Sequence, residues 1–482
     1  MDNKLEKLIL GYDILFPYCE VPNCLDPKDL QFAKDCDYYY DNSQTYFKEK
    51  LNKEWYIHNG RFMVHLNDES GHPGYFAIDK KSTYDIIKDR ERGKNYDWYY
   101  LIEAYGDFDN FLGLSNSNTQ PFSEFIPSHT LNELKNYNGK LIINFAIDGG
   151  LSTLKVDRLY ECLLNLNIPK EKIIILHNDF NLEKLMKPIF GEYMPILIHY
   201  CWSLNSKSEE YFKKTHQDEF HFWHTADRKT NYSFLTNDEC KDLSKKTHKF
   251  LNLNRRLRIH RIDLLYFLWK ENMLDDVLIS YDSKLFTHDG LDMIRKKLSI
   301  EEWNDFYHYI VHTSPRIVDY YDIESIWGYG FETKEIYEKS LISILSETFF
   351  YEESGYLSEK IWKPIAHGHP FILIGPQNSL KFIKKEFGFK TFHPFINEAY
   401  DAIEDGNLRM EMIQKEIKRL NSYSLEELKK IVEQVIPIIL HNKQKLLEYG
   451  KKSIPLDYVH YLRITGKTEE AEKIFNKQNQ LL

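Results

Sequence analysis

The chain has 482 residues, a formal net charge of −10, and 42% hydrophobic and 15% aromatic residues. This length predicts two large or three smaller domains, each able to bury a core, and the composition excludes a disordered protein. The negative charge disfavours general affinity for nucleic acids, although it is compatible with a local basic patch.

The apolar segments and the cysteines bear on localisation and metal binding. The longest apolar runs are far too short to cross a bilayer, and the first residues contain no leader-like apolar core. We therefore expect a cytoplasmic protein without a transmembrane segment, and we leave open a peripheral attachment to a membrane. Six cysteines without C-x-x-C spacing predict reduced thiols rather than a zinc site: Cys19, Cys24, Cys36, Cys162, Cys201 and Cys240.

Residues 1–115 are the least informative part of the chain. They are aromatic, charged and irregular in period, and they contain no internal repeat. Strand-like pieces occur at 55–58, 61–66 and 98–102, but the pattern assigns no architecture to them.

Residues 120–240 have the pattern of an α/β domain. The apolar run 141–147 is typical of a strand covered on both faces, residues 156–166 have helical spacing, and 173–176 form a second apolar run. This βαβ pattern predicts a parallel sheet with helices on both faces. Ligands of such sheets bind beyond the carboxyl ends of the strands, where Asp148 and residues 177–179 lie.

A second α/β unit is expected after a polar linker at 237–246. Strands are predicted at 249–254 and 276–280, and the expected helices are 262–268, 300–309, 407–420 and 425–448. Residues 456–477 have the pattern of two helices joined by a turn at Gly466. The predicted domains are thus residues 1–240, residues 241–450 and a helical tail at 451–482.

The most informative segment is 352–376, EESGYLSEKIWKPIAHGHPFILIGP. Ser358 is a suitable N-cap residue, which would place Glu359 and Lys360 in the first turn of a helix that Gly368 ends before the strand 370–374. A helix N-terminus suits a phosphate, and a carboxylate beside a lysine suits a ribose and its diphosphate. Pro364 is a difficulty because a proline inside a helix removes a hydrogen bond. The alternative is an ordinary surface Glu-Lys pair.

A basic cluster at 254–261, NRRLRIHR, is the second informative feature. It lies between a predicted strand and a predicted helix, where a βα loop would face a ligand. Arginine offers planar bidentate donors and keeps its charge when partly buried, so the cluster suits a diphosphate. The alternatives are a solvated loop or a nucleic-acid patch.

Segment 352–376 resembles the donor-site motif of the fucosyltransferase-like (family 10) inverting glycosyltransferases. That motif has an acidic-Asn-Ser turn, then Tyr-hydrophobic-Thr-Glu-Lys, a helix, and a Val/Ile-rich strand ending in Gly. Its counterparts here are Glu352-Glu353-Ser354, then Tyr356-Leu357-Ser358-Glu359-Lys360, and the strand 371–375. Ser358 replaces the Thr, and Glu353 stands where the family usually has Asn. The resemblance covers roughly residues 245–400, and it extends to uncharacterised bacterial and viral proteins with a TEKxxKPIxxGHPFI-like string.

The resemblance implies a GT-B-like α/β fold, with two Rossmann-like domains facing a cleft and additional C-terminal helices. It places the nucleotide-sugar on the C-terminal domain, and the acceptor and a catalytic carboxylate on the N-terminal domain. No metal is expected, because Arg, Lys and helix N-termini neutralise the leaving diphosphate. Arg261 matches the family's helix-opening Arg best, with Arg255 or Arg256 as runner-up. The other donor-binding residues that the resemblance implies are Ser354, Tyr356, Glu359 and Lys360.

The general base is expected from the first domain. We predict Asp148, because it follows a buried strand and precedes two glycines that would let a substrate approach the backbone. The alternative is a turn aspartate that caps the next helix. His224 and Asp227, in an aromatic and polar segment, are further acceptor-side candidates, although a hinge or core role suits that segment equally.

A metal-dependent glycosyltransferase of the GT-A class would instead show Asp-x-Asp after a buried strand. The letters occur at Asp35-Cys36-Asp37 and Asp107-Phe108-Asp109. We interpret both as loops, because no nucleotide-binding unit is recognisable before them.

The function predicted from these features is transfer of a sugar from a nucleotide-sugar to the hydroxyl of a glycan or other acceptor, with inversion and without metal or other cofactor. The alternatives are a non-catalytic scaffold that binds nucleotides or carbohydrates and, with less support, a nucleic-acid-binding protein. The sugar, the nucleotide base, the acceptor and the oligomeric state do not follow from the sequence.

Overall fold

The structure is a computed structural model, and it describes residues 6–12, 76–103, 112–114, 121–124, 126–145, 151–199, 235–254, 258–318, 334–450 and 456–480. The chain divides into two compact units. The first comprises Met1–Ser206 and Ser453–Gln478, and the second comprises Lys207–Lys452 and Asn479–Leu482. The division after Ser206 lies outside the described residues, so the boundary near residue 240 stays an expectation.

The first unit contains a parallel sheet of six strands among the described residues, in the order β2-β1-β3-β4-β5-β6. Its strands are β1 (Glu6–Tyr12), β2 (Phe76–Ser82), β3 (Trp98–Glu103), β4 (Gly139–Phe145), β5 (Ile173–His177) and β6 (Ile196–His199). Its described α-helices before residue 200 are α1 (Thr83–Glu91), α2 (Ser128–Asn136), α3 (Thr153–Leu166) and α4 (Leu182–Phe190). The predicted buried strands β4 and β5 and the helix α3 between them are confirmed.

Half of this sheet lies in the part of the chain that the sequence pattern did not assign. β1, β2 and β3 all precede residue 104, so the sheet begins well before the predicted start near residue 120. The buried indole of Trp98 lies close to two glycines of the neighbouring strands. A Cβ at Gly11 would be 2.4 Å from the indole, and one at Gly139 would be 2.7 Å from it. These two glycines are what allow the large side chain to fit at the sheet surface.

The second unit contains a parallel sheet of four strands among the described residues, in the order β10-β9-β7-β8. The strands are β7 (His248–Leu253), β8 (Val277–Ser280), β9 (Ser340–Ser346) and β10 (Phe371–Ile374). The α-helices in the described part of this unit are α5 (Asn237–Lys241), α6 (Ile259–Lys270), α7 (His288–Lys297), α8 (Ile300–His312), α9 (Lys334–Lys339), α10 (Trp362–Ala366), α11 (Ser379–Phe387), α12 (Gly406–Asn421) and α13 (Leu425–Gly450). Both units are therefore mixed α/β structures built on parallel sheets.

The C-terminal residues return to the first unit. They form α14 (Leu456–Ile464) and α15 (Thr468–Gln480), which agrees with the predicted pair of helices. The turn between them contains Gly466, whose φ of 82° is a conformation that glycine adopts without strain. α14 packs against β6, so the tail contributes to the core of the first unit.

Two local predictions are corrected. The expected linker at 237–246 contains the helix α5, which starts with a capping box between Thr236 and Glu239. The helix after Ser358 begins as a 3₁₀ turn (Glu359–Ile361), and the α-helical part starts only at Trp362. Pro364 is thus the third residue of α10, where a missing N–H has no intrahelical acceptor to lose.

No helix among the described residues is long and apolar enough to span a membrane.

Candidate functional site

The candidate site lies at the carboxyl ends of β7 and β9 in the second unit. The chain runs from β7 to β8 on one side and later places β9 on the other side of β7. This reversal of strand order creates a topological switch point, where open α/β sheets bind their ligands. The residues that end the two strands are Asn254, which follows β7, and Ser346 and Glu347 at the end of β9.

The helix α6 begins at this switch point. Arg258 is its N-cap residue, and the first turn carries His260 and Arg261 but no acidic residue. The following residues Ile262 and Leu265 are fully buried, which anchors the helix to the sheet. A helix N-terminus carries partial positive charge, and the guanidinium groups of Arg258 and Arg261 add to it. This combination makes the start of α6 attractive to an anion.

Arg261 and His260 hold the carboxyl end of β9. Arg261 is 5% exposed, and its Nη2 donates to the carbonyl oxygens of Ser346 at 3.0 Å and Glu347 at 2.9 Å. Nε2 of His260 lies 2.9 Å from the same Glu347 carbonyl oxygen. Burial lowers the pKa of His260 well below its ordinary value, so the ring is neutral and Nε2 is the protonated nitrogen.

The carboxylate of Glu347 connects β9 to segment 352–376. This side chain is 0% exposed, and its Oε2 accepts from the backbone N–H of Ser358 at 3.1 Å and from the Ser358 hydroxyl at 2.6 Å. The Ser358 hydroxyl oxygen in turn accepts from Nζ of Lys360 at 3.1 Å. Glu347 therefore connects Arg261, through its carbonyl group, to Lys360, through Ser358.

The loop after β9 packs over the start of α6. Nη1 of Arg258 donates to the Thr348 carbonyl oxygen at 3.0 Å, and its guanidinium lies 5.4 Å from the centroid of the Phe349 ring. The Tyr351 hydroxyl donates to Asp263 of α6 at 3.1 Å. These contacts fix the loop that carries the predicted acidic turn relative to the helix.

The predicted turn residues lie in this loop with different exposures. Ser354 and Tyr356 are buried, and the Ser354 hydroxyl accepts from the Tyr356 backbone N–H at 3.3 Å. Glu352 and Glu353 are exposed, and Glu352 accepts from the Phe350 backbone N–H at 2.8 Å. Ser354 and Tyr356 thus support the loop from inside, and their predicted contact with a donor stays a prediction.

Several predicted site residues lie outside the described part of the chain. These are Arg255 and Arg256, the proposed base Asp148, the acceptor-side candidates His224 and Asp227, and both Asp-x-Asp sequences. The backbone of Glu359 is described, in the 3₁₀ turn before α10, but its side chain is not. The strands β1, β2 and β3 and the helix α1 precede Asp107, and the interpretation of both Asp-x-Asp sequences as loops stays a prediction.

The first unit has a smaller polar cluster at the carboxyl ends of β5 and β6. Nδ1 of His177 lies 2.9 Å from the Asp179 carbonyl oxygen, and the rings of His177 and His199 meet edge to face at 5.5 Å. Burial lowers the pKa of His177 to about 4, which keeps this ring neutral near pH 7. Among the described residues, no group of three or more His, Cys, Asp or Glu side chains could hold a metal ion.

The site residues that the sequence patterns did not single out are Ser346 and Glu347. A usable signal was present, because each is a polar residue at or just after the end of a buried strand, as Asp148 is. Searches with the chain against protein-family models and against curated proteins find no match. The observations that bear on function are therefore the geometry of this switch point and the motif resemblance.

Proposed function

We propose that the chain is a nucleotide-sugar-dependent glycosyltransferase whose donor site is the switch point of the second unit. The observation that carries the proposal is the linkage of Arg261 to Lys360 through Glu347, beside the basic N-terminus of α6. Two cations held at fixed positions next to a helix N-terminus suit a diphosphate, which becomes the leaving group of the reaction.

The resemblance to the fucosyltransferase-like enzymes supports the finer parts of the proposal. These are a GT-B-like arrangement, inversion of the anomeric centre, and catalysis without a metal. In that mechanism the acceptor hydroxyl displaces the nucleoside diphosphate in one step, while a base of the first unit takes its proton. The sugar–phosphate bond breaks as the new glycosidic bond forms, and the diphosphate leaves with the electron pair.

The test has two stages. Nucleotide-sugars are first screened for an increase in melting temperature, because a donor that binds the folded chain stabilises it by mass action. Calorimetry with the corresponding nucleoside diphosphate is then done on the parent chain and on Lys360→Ala, Arg261→Ala and Glu359→Ala. Each charged hydrogen bond to the donor contributes about 1.5–3 kcal/mol, so we expect roughly ten- to hundred-fold weaker binding in each variant.

Lys385→Ala is the matched control, because this lysine is exposed on α11 and its described ion pair is with Glu386. It should bind like the parent. If the three site variants also bind like the parent, the donor site is misplaced. A transfer assay with the identified donor separates an enzyme from a non-catalytic binding scaffold, since only the enzyme releases nucleoside diphosphate in the presence of an acceptor.

A further inference from the structure

Oδ1 of Asn254 and Oγ of Ser346 are buried polar atoms at the switch point, and neither has a hydrogen-bond partner among the residues that the structure describes. The two residues are only 1% and 3% exposed. Buried polar groups in folded proteins are nearly always hydrogen-bonded, so each exception calls for an explanation.

The two residues occupy neighbouring positions at the ends of adjacent strands. β7 and β9 pair in parallel with Phe250 opposite Ile342 and Leu251 opposite Ser343. Continuing this register places Asn254 beside Ser346. Nδ2 of Asn254 donates to Oδ1 of Asn252 at 2.6 Å, so the amide oxygen is the end of the side chain that is left without a donor.

The other serines of β9 make hydrogen bonds. The Ser340 hydroxyl donates to the Ile336 carbonyl oxygen at 2.6 Å, and the Ser343 hydroxyl bonds Nδ1 of His369 at 2.8 Å. Ser346 is the serine of this strand that lies at its carboxyl end. The missing partner therefore coincides with the edge of the sheet at which a ligand is expected.

We infer that Asn254 and Ser346 together bind a hydroxyl group of the sugar-nucleotide ligand, an inference that rests on the proposed function. An amide oxygen accepts the hydrogen of a hydroxyl, and the serine hydroxyl donates to the oxygen of the same group. Neither side chain is charged, so the pair suits a neutral sugar hydroxyl, while Arg258, Arg261 and Lys360 suit the phosphates. Both atoms are closed off from solvent in the structure, so binding requires a local opening at the strand ends.

Ser346→Ala tests the inference with three kinds of probe: inorganic pyrophosphate, the diphosphates UDP and GDP, and their hexose conjugates UDP-glucose and GDP-mannose. Removing a buried hydroxyl that has no partner should leave the melting temperature of the protein alone unchanged or higher. Pyrophosphate should bind as it does to the parent. At least one sugar-containing probe should bind roughly tenfold more weakly, because a hydrogen bond to the ligand is lost.

The probes also identify the hydroxyl. Weaker binding of UDP or GDP assigns it to the ribose, whereas weaker binding of the hexose conjugates alone assigns it to the transferred sugar. The matched control is Ser343→Ala on the same strand, which breaks the bond to His369 and should lower the melting temperature without changing affinity for any probe.

Three results overturn the inference while the proposed function stands: a lowered melting temperature of Ser346→Ala, equal loss of pyrophosphate binding, or unchanged binding of every sugar-containing probe. A parent chain that binds none of the probes overturns the proposed function, and the inference with it.

Discussion

Glu347 shows how one buried side chain can organise a binding site whose recognisable motif lies elsewhere. Its carbonyl oxygen accepts from His260 and Arg261, and its carboxylate accepts twice from Ser358. Arg261 and Lys360 were identified from the sequence because they belong to patterns of charge and helix start. Glu347 was not identified, because its role depends on Ser358, eleven residues later, and on His260 and Arg261, more than eighty residues earlier.

A second buried charge in the same unit has a measurable consequence for stability. Lys246 is 5% exposed, and its Nζ donates to the Tyr337 carbonyl oxygen at 2.6 Å. Burial lowers the pKa of this ammonium from 10.5 to about 8, against the opposing influence of Cys240, Glu338 and Asp242. Below pH 8 the group is charged in both the folded and the unfolded chain, so its burial costs free energy there. Between pH 8 and 10.5 the folded chain releases the proton first, and this cost disappears.

We therefore predict a pH-dependent difference between the parent and Lys246→Met. The free energy of unfolding of the parent should gain about 2 kcal/mol relative to the variant between pH 7.5 and pH 10. Urea unfolding followed by circular dichroism at the two pH values measures this difference. Lys415→Met is the control, because Lys415 is exposed on α12 and should give no such change. A constant difference between parent and Lys246→Met would show that the ammonium is not held in a desolvated site.

At the scale of elements, the sequence predicted the two strands of the first sheet that are continuous apolar runs, and it missed the edge strand β2 of that sheet. β4 and β5 are continuous apolar runs in the middle of the first sheet, and their pattern was unambiguous. β2 forms the edge of that sheet and reads FAIDKKS. An edge strand needs no continuous apolar run, so hydrophobicity alone does not identify it. β1 pairs with β2 across a gap in sequence of more than sixty residues, which no local pattern reports.

The turn before the strand β10 depends on a glycine that the sequence analysis did identify. Gly368 follows α10 with a φ of 60°, and the strand β10 begins three residues later. A Cβ at this position would lie 2.4 Å from the Cys240 sulfur and 3.1 Å from Ile439. Both the backbone conformation and the close approach of α5 therefore require glycine.

Gly368→Ala should lower the free energy of unfolding by about 2–5 kcal/mol. Left-handed backbone strain contributes about 1–2 kcal/mol, and overpacking against Cys240 contributes roughly 1–3 kcal/mol. Gly388→Ala is the matched control, because its φ is 70° but the added Cβ would meet only the flexible end of Lys445. Gly388→Ala should lose only the stability that corresponds to the left-handed backbone strain.

The double variant Gly368→Ala, Cys240→Ala separates the two contributions to this loss. Removing the sulfur relieves the closest contact, so part of the lost stability should return. Equal effects of Gly368→Ala and Gly388→Ala would show that the contact with Cys240 is unimportant. Urea unfolding of the three variants beside the parent makes the comparison.

At the scale of the whole molecule, the chain has a net charge of −10, whereas the candidate donor site carries basic side chains. In the described residues of the second unit, Arg258, Arg261 and Lys360 lie around one switch point, while the acidic surplus is spread over the rest of the sequence. Composition alone disfavours general nucleic-acid binding, but it could not locate this site. The parallel sheets were predictable as a class, because βαβ patterns occur in both halves. The last two helices, predicted as a tail at 451–482, belong to the first unit.

The prediction that involves both units concerns the general base. Asp148 follows β4 of the first unit, and the proposed donor site belongs to the second. If Asp148 takes the proton of the acceptor hydroxyl, Asp148→Asn should lower turnover by about 10²–10⁴-fold and leave nucleoside diphosphate affinity unchanged. A turnover assay with the identified donor measures the first quantity, and calorimetry measures the second. Asp157→Asn, an exposed position on α3, is the control and should retain full turnover.

The stereochemistry of the product gives an independent check of the same mechanism. A single displacement leaves no covalent sugar–enzyme intermediate, so NMR of the product should show an inverted anomeric centre. Near-normal turnover of Asp148→Asn would transfer the role of base to Asp227, His224 or an acidic residue among the first 115. A retained anomer would reject the fucosyltransferase-like mechanism whichever residue is the base, because retention requires either two displacements or attack from the side of the leaving group. The turnover of Asp148→Asn therefore tests whether Asp148 is the general base, and the anomeric configuration of the product tests whether the reaction is a single displacement.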